Sequence, residues 1–167
     1  MEIVVSDSST LILLVKSEII NELLDLVTII IPPQVYHEIE EGKRKQKPDA
    51  FIIDELIKQK LIQIKEPDQR IVKLIEKLYN LDKGEIYAIA LAKELNTDIW
   101  IDDKEGMLIC KKLNINTTTA MIALNKLYFE KKINKEKAKK SLELLIKFGW
   151  YKKEEIEIAR KKIEGSI

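Results

Sequence analysis

Two adjacent aspartates, Asp102 and Asp103, follow the apolar run Ile99-Trp100-Ile101, so two like charges stand where a buried strand should end. A third, Asp7, stands directly after the strand-like stretch Ile3-Val4-Val5-Ser6. Two more stretches can add carboxylates. In "LDKGEIYAIALA", Asp82 and Glu85 lie three apart, on one helical face beside the apolar stripe of Ile86, Ile89 and Ala90. Gly84 between them weakens a helix, which implies close approach by another group. In "VYHEIEEG", Glu38 follows Val35 by three and so borders the core side, whereas Glu40 and Glu41 should have more solvent. Singly, each of these acids serves equally well as a cap or a surface charge. Gathered together, four or five carboxylates repel one another and raise their own pKa values unless a cation sits among them. An all-oxygen set without histidine or cysteine suits a hard ion, Mg²⁺ or Mn²⁺, and not zinc. His37, the lone histidine, points by helical spacing away from the face of Val35 and Ile39 and reads as a surface or packing residue.

Gathering the acids requires a particular arrangement of elements. "IVVS" and "VTIIIP" are short β-branched runs, each followed by a helical pattern. Between them, "STLILLVKSEIINELLDL" has apolar residues at spacings of three and four and predicts one helix, with Ser9 or Thr10 as its cap. The next helix should open at Pro32-Pro33 and stop at Gly42. After the polar loop "KRKQKPD" come a helix over 49–60, a strand "LIQIK", helices near 68–80 and 83–95, a strand "DIWID" and a last strand "INTT". This alternation predicts an α/β fold with a parallel sheet covered on both faces, whose ligands bind beyond the carboxyl ends of the strands. Asp7, Asp102 and Asp103 then share one rim.

With 167 residues, 46% hydrophobic and 34% charged, the chain can bury a sizeable core as one domain. The expected organisation is a catalytic α/β core over residues 1–129, with a C-terminal helical extension over 130–167 packed on it. No apolar run approaches a membrane span, the opening "MEIVVSD" lacks the basic region of a signal peptide, and the single cysteine, Cys110, rules out an internal disulfide. A cytoplasmic protein without membrane contact is the expectation, with Cys110 as core filler. The net charge is only +1, but residues 1–129 have an acidic excess and 130–167 a basic one. Basic segments attract phosphate backbones, although a solvated helix surface explains the tail as well.

In four ordered stretches the chain resembles the PIN-domain nucleases, the family of the VapC toxins of toxin–antitoxin pairs. "VVSDSSTLILL" is similar to that family's opening strand and helix, "IPPQVYHEI" to its second-acid helix, "LDKGEIYAIALA" to its third-acid helix, and "IWIDDKEG" to its last acidic strand end. "FGWYKKEEI" is similar to the tail of a compact PIN subgroup long catalogued as of unknown function. The resemblance departs at "NTTTAMIAL", where that subgroup usually has a glycine-containing turn. It implies a PIN-like, Rossmann-like three-layer sandwich, with Asp7, Glu38, Glu85 and Asp102 as catalytic and metal-binding acids and Asp103 and Asp82 close by. It also implies metal-dependent hydrolysis of RNA, a possible antitoxin partner and a homodimer. Physically, Mg²⁺ neutralises a scissile phosphate and lowers the pKa of a bound water, so no protein nucleophile is needed. Ser8, Ser9 or Thr10 at the helix start are candidates to bind a phosphate oxygen, with capping as their other use. Lys43, Arg44, Lys45 and Lys47 on the loop, and Lys135, Lys139 and Lys140 in the tail, are candidates to guide the RNA backbone, with solvated surface as their other use. The first helix, with Ile12 to Val15 all apolar, and "RIVKLIEKLYNL" carry more apolar residues than one narrow buried face needs, which points to pairing.

Two other readings start from the same residues. A phosphatase or receiver-type aspartyl domain shares an acid-rimmed parallel sheet, but would place a second aspartate two positions after the first, where this chain has Ser9. A non-catalytic RNA-binding or partner-binding module on a PIN scaffold keeps the fold and needs no metal.

Overall fold

The β-branched runs form a sheet because their side chains pack on both faces. In the computed structural model, which describes residues 1–165, β1 (Glu2–Ser6), β2 (Val27–Ile31), β3 (Ile62–Ile64), β4 (Asp98–Trp100) and β5 (Thr117–Thr118) pair in the order β3-β2-β1-β4-β5. Every pairing is parallel. Val4, Val5, Ile29, Ile31 and Ile99 are buried to 1% exposure or less, so the central strands are covered on both sides. Helices flank the sheet in a three-layer α/β arrangement. They are α1 (Ser8–Lys16), α2 (Ile20–Leu24), α3 (Pro33–Arg44), α4 (Pro48–Lys58), α5 (Gln69–Leu78), α6 (Lys83–Leu95), α7 (Lys104–Lys112), α8 (Ala120–Phe129), α9 (Lys135–Phe148) and α10 (Lys153–Glu164).

Strand order decides where a ligand can sit. From β1 the chain builds outward to β2 and β3, then returns to the other side of β1 to lay down β4 and β5. The reversal between β1 and β4 leaves a crevice at their carboxyl ends, where the covering connections diverge. Ser6 pairs with Trp100 across this point, and the amide of Asp7 donates to Trp100 O at 3.2 Å.

Local departures from periodicity have identifiable causes. The single helix expected over 9–26 is two helices, because Glu18 adopts the left-handed region (φ 62°) and the Ser17 hydroxyl donates back to Leu13 O at 2.7 Å. This turn is tied to the tail, where Lys140 pairs with Glu18 at 2.6 Å and Lys137 pairs with Glu22. The second helix does not stop at Gly42 but runs on to Arg44. Gly42 instead makes room for α4, since a Cβ there would lie 3.0 Å from Ala50 Cβ. Cys110 is buried among apolar side chains and His37 is exposed.

The C-terminal helices fold back on the body: α9 packs on α8 and α1, and α10 on α9 and α8. With α4 and α3, α9 covers the apolar run on α1, where Leu11, Leu13, Leu14 and Val15 are buried and only Ile12 is partly exposed. Among the described residues, no helix is long and apolar enough to cross a membrane.

Candidate active site

The carboxylates gather where β1 and β4 end. Asp7 is the N-cap of α1, accepting from the Thr10 amide at 2.8 Å through Oδ1. The cap is thus the aspartate itself, not Ser9 or Thr10, because the helix starts one residue after the strand. Asp7 is only 2% exposed, and its Oδ2 is buried with no hydrogen-bond partner. Burial, reinforced by the charges of Asp102 and Glu38, pushes its carboxyl up to about 7. Asp102 is better served: Oδ2 accepts from the Thr10 hydroxyl at 2.8 Å and the Ala120 amide at 3.0 Å, and Oδ1 from the Tyr151 hydroxyl at 2.8 Å. Burial nevertheless outweighs these three donors and holds its pKa above the ordinary value. Thr10 therefore bridges the first and last acids with one backbone and one hydroxyl donor.

Two helices complete the group. Glu85 lies in the first turn of α6, and burial together with the charges of Asp103, Asp7 and Asp82 raises it to about 7. Glu38 reaches across from α3, where its carboxylate accepts from the Ser8 hydroxyl. Gly84 makes this possible, because a Cβ there would overlap Glu38 Oε1. The group that approaches the glycine is an acid of the cluster. Glu38 is more exposed than Glu40 and Glu41, the reverse of the helical-spacing expectation. Glu40 is shielded by its pairing with Lys43 at 3.0 Å, whereas Glu38 lies against Ser8 and Gly84 with no cation paired to it among the described residues. Asp103 caps α7 through the Gly106 amide at 2.7 Å, and Asp82 is the exposed N-cap of α6.

A cleft of about 680 Å³ opens over this cluster, with Asp82, Glu85, Asp102 and Asp103 in its wall and Lys16, Lys104 and Trp150 at its edge. The donor set is all oxygen, and Asp7 Oδ2 is a buried lone-pair donor with nothing to bind, so the chemistry fits a hard divalent cation. Among the described residues, no three His, Cys, Asp or Glu side chains already converge as a ligand shell.

Strand order, the acid cluster and the helical tail agree with a family model described as a PIN domain, which matches residues 3–163. The chain belongs to the PIN-domain family. No curated protein matches it. PIN domains are typically metal-dependent nucleases, and this chain's carboxylates lie where the strand order of the sheet reverses.

Within this PIN domain the structure draws together Asp7, Glu38, Glu85, Asp102, Asp103 and Asp82, with Ser8 beside Glu38 and Ser9 at the cleft edge. Lys43 and Arg44 stand apart. Lys43 pairs with Asp54 at 2.8 Å and with Glu40, and Arg44 pairs with Glu41, so both are spent on neighbours within the chain. The cations at the cleft are Lys16 and Lys104 instead. Sequence reasoning passed over them, along with Trp150 and Tyr151. Lys104 carried a signal, as the residue after the aspartate pair, and "FGWY" places two aromatics in a helix break.

Proposed function

We propose that this PIN domain is an endoribonuclease that hydrolyses RNA phosphodiesters with Mg²⁺ or Mn²⁺. The observation that carries this reading is Asp7: a buried carboxylate with one unpartnered oxygen, at the point where the strand order reverses, close to Glu38, Glu85 and Asp102. Asp7, Glu38, Glu85 and Asp102, with Asp103 nearby, would hold the ion, which would supply charge neutralisation at phosphate and a more acidic bound water. The chain's own residues do the rest. Thr10 orients Asp7 and Asp102, Tyr151 fixes the second oxygen of Asp102, and Lys16 and Lys104 attract the phosphate backbone at the cleft edge.

The test is cleavage of a labelled single-stranded RNA in Mg²⁺ or Mn²⁺, with EDTA as control. Activity should vanish in EDTA and in Asp7→Asn, and activity that persists in both would overturn the reading. A toxin role belongs to the same proposal: induced expression should arrest growth, and Asp7→Asn should not. A homodimer also belongs to it and now rests on α5, where Leu74 and Leu78 are exposed, since α9 covers α1. Light scattering separates a mass of 19.4 kDa from twice that value.

A second reading, a non-catalytic RNA-binding or partner-binding module, is favoured by the Asp102 oxygens, both already engaged by protein donors, and by the unconverged acids. It predicts RNA binding that EDTA leaves unchanged and no cleavage under any metal.

A further inference from the structure

Beside the acidic cleft lies a second cavity of about 760 Å³, between α7 and the α9–α10 corner. Asp102, Lys104 and Trp150 line both cavities, so the two adjoin. We propose that this second cavity is a nucleotide subsite, in which the Trp150 ring stacks on an unpaired base of single-stranded RNA next to the scissile phosphate. The choice of RNA rests on the endoribonuclease reading; the stacking and the charge do not.

Trp150 is 96% exposed, a large aromatic surface left in water at the mouth of a cavity. A lone exposed apolar side chain is ordinary. This one is held on a braced corner. Tyr151, the next residue, donates its hydroxyl to Asp102, and the bare Gly149 before it leaves the space that the Tyr151 ring occupies. The brace fixes the backbone beneath the indole, so the ring stands at the cavity mouth beside the acids with its faces bare, which is what stacking recognition needs.

Charge names the occupant. On α7, Lys104, Leu108 and Lys111 are spaced four and three apart, so they share one helical face, and that face lines the cavity. Lys152 lines the same cavity from the start of α10. Among the described residues, none of these three lysines is in an ion pair, although ten ion pairs occur elsewhere in the protein. Glu155 is the one acid of the lining besides Asp102, and its carboxylate is engaged by the Lys152 amide at 2.7 Å. Three free cations around an exposed indole and an exposed leucine suit phosphates and a flat apolar base. Asn114, in the left-handed region at φ 55°, also lines the cavity and can offer its amide to a base edge. A duplex would not fit this description, since its bases are already stacked.

The test is binding of fluorescein-labelled octauridylate in EDTA, where no cleavage competes. Trp100 is only 6% exposed, so quenching of tryptophan emission by the unlabelled oligomer reads Trp150. Wild type should bind, Trp150→Ala should bind about tenfold or more weakly, and Trp150→Phe should stay within about threefold of wild type. Lys111→Ala with Lys152→Ala should weaken binding and flatten its salt dependence. An octathymidylate arm separates any single strand from RNA. Unchanged affinity in Trp150→Ala, or no binding by wild type, would overturn the subsite and leave Trp150 to a protein partner. The enzyme reading fails separately: Trp150-dependent binding without cleavage in Mn²⁺ keeps the subsite and removes the nuclease, whereas cleavage with the same KM in Trp150→Ala does the reverse.

Discussion

Replacing Asp7 with asparagine should stabilise the metal-free protein at neutral pH, although it removes the acid on which the proposed chemistry depends most. Asp7 keeps a carboxyl of about 7 in the fold against an ordinary 3.8, mainly because burial penalises its charge. Around it stand Glu38 from α3, Glu85 from α6 and Asp102 beyond β4, with Thr10 as the partner that opposes the shift. Below the ordinary value the group is protonated in both states and costs nothing. As pH rises toward about 7 the unfolded chain ionises and the fold resists, so native stability falls; above that the loss is complete. The interval from 3.8 to about 7, at ~1.4 kcal/mol per pH unit, sets a ceiling of ~4 kcal/mol. Asparagine keeps the cap acceptor for the Thr10 amide and places a neutral group among the acids, but still buries a polar amide. A gain of ~1–3 kcal/mol at pH 8, or roughly 2–10 °C in melting temperature for a chain of this length, is the expected outcome. The assay is thermal melting in EDTA from pH 4 to 8. The advantage of Asp7→Asn should be near zero at the acid end and widen with pH, the more so because removing the Asp7 charge also relieves Glu85. Added Mn²⁺ should raise the wild type and not the variant. Equal melting temperatures across the pH range, or a less stable variant at pH 8, would refute the account of Asp7 as a strained, unpartnered charge.

Three further outcomes follow from single contacts. Gly84→Ala should push the flexible end of Glu38 aside, lowering Mn²⁺ affinity by ~10-fold in calorimetry with little change in melting temperature. Asp54→Ala should cost ~1–3 kcal/mol in urea unfolding, because Asp54, with a side chain only 5% exposed, holds both Lys43 and Lys58 at 2.8 Å. Tyr151→Phe removes one of the donors that lower the pKa of Asp102. That pKa should rise further, moving the acid limb of the kcat/KM profile to higher pH.

What could be read in advance follows the reach of each interaction. The sheet was legible because burial on both faces writes continuous β-branched runs, and the acids because a charge directly after such a run has to stand at its rim. Glu85 was legible by helical spacing and Gly84 by its cost to a helix, each a local property of a few residues, whereas Glu38 is more exposed than Glu40 and Glu41, against the spacing that singled it out. The break at Glu18 was not, since its left-handed turn is tied to Lys140, which lies far along the chain. Lys43 failed for the same reason, whereas the partner of Arg44, Glu41, lies only three residues away. Lys43 and Arg44 looked available beside the second-acid helix, but the partners that neutralise them, Asp54, Glu40 and Glu41, include one on another helix.

The tail shows where local reading gives out. Its basic excess suggested a packed helical extension whose lysines guide the RNA backbone, yet Lys137 and Lys140 are tied to Glu22 and Glu18, which leaves less free charge than the composition suggests. The contribution comes instead from the corner at Gly149, Trp150 and Tyr151. There Tyr151 reaches back to Asp102, 49 residues earlier, and sets Trp150 at the junction of the two cavities. The tail is therefore a wall of the candidate site and a support for one of its acids. Removing residues 130–167 would leave Asp102 without its Tyr151 donor and α1 without the cover of α9, so the acid cluster and the apolar face of α1 depend on the same segment.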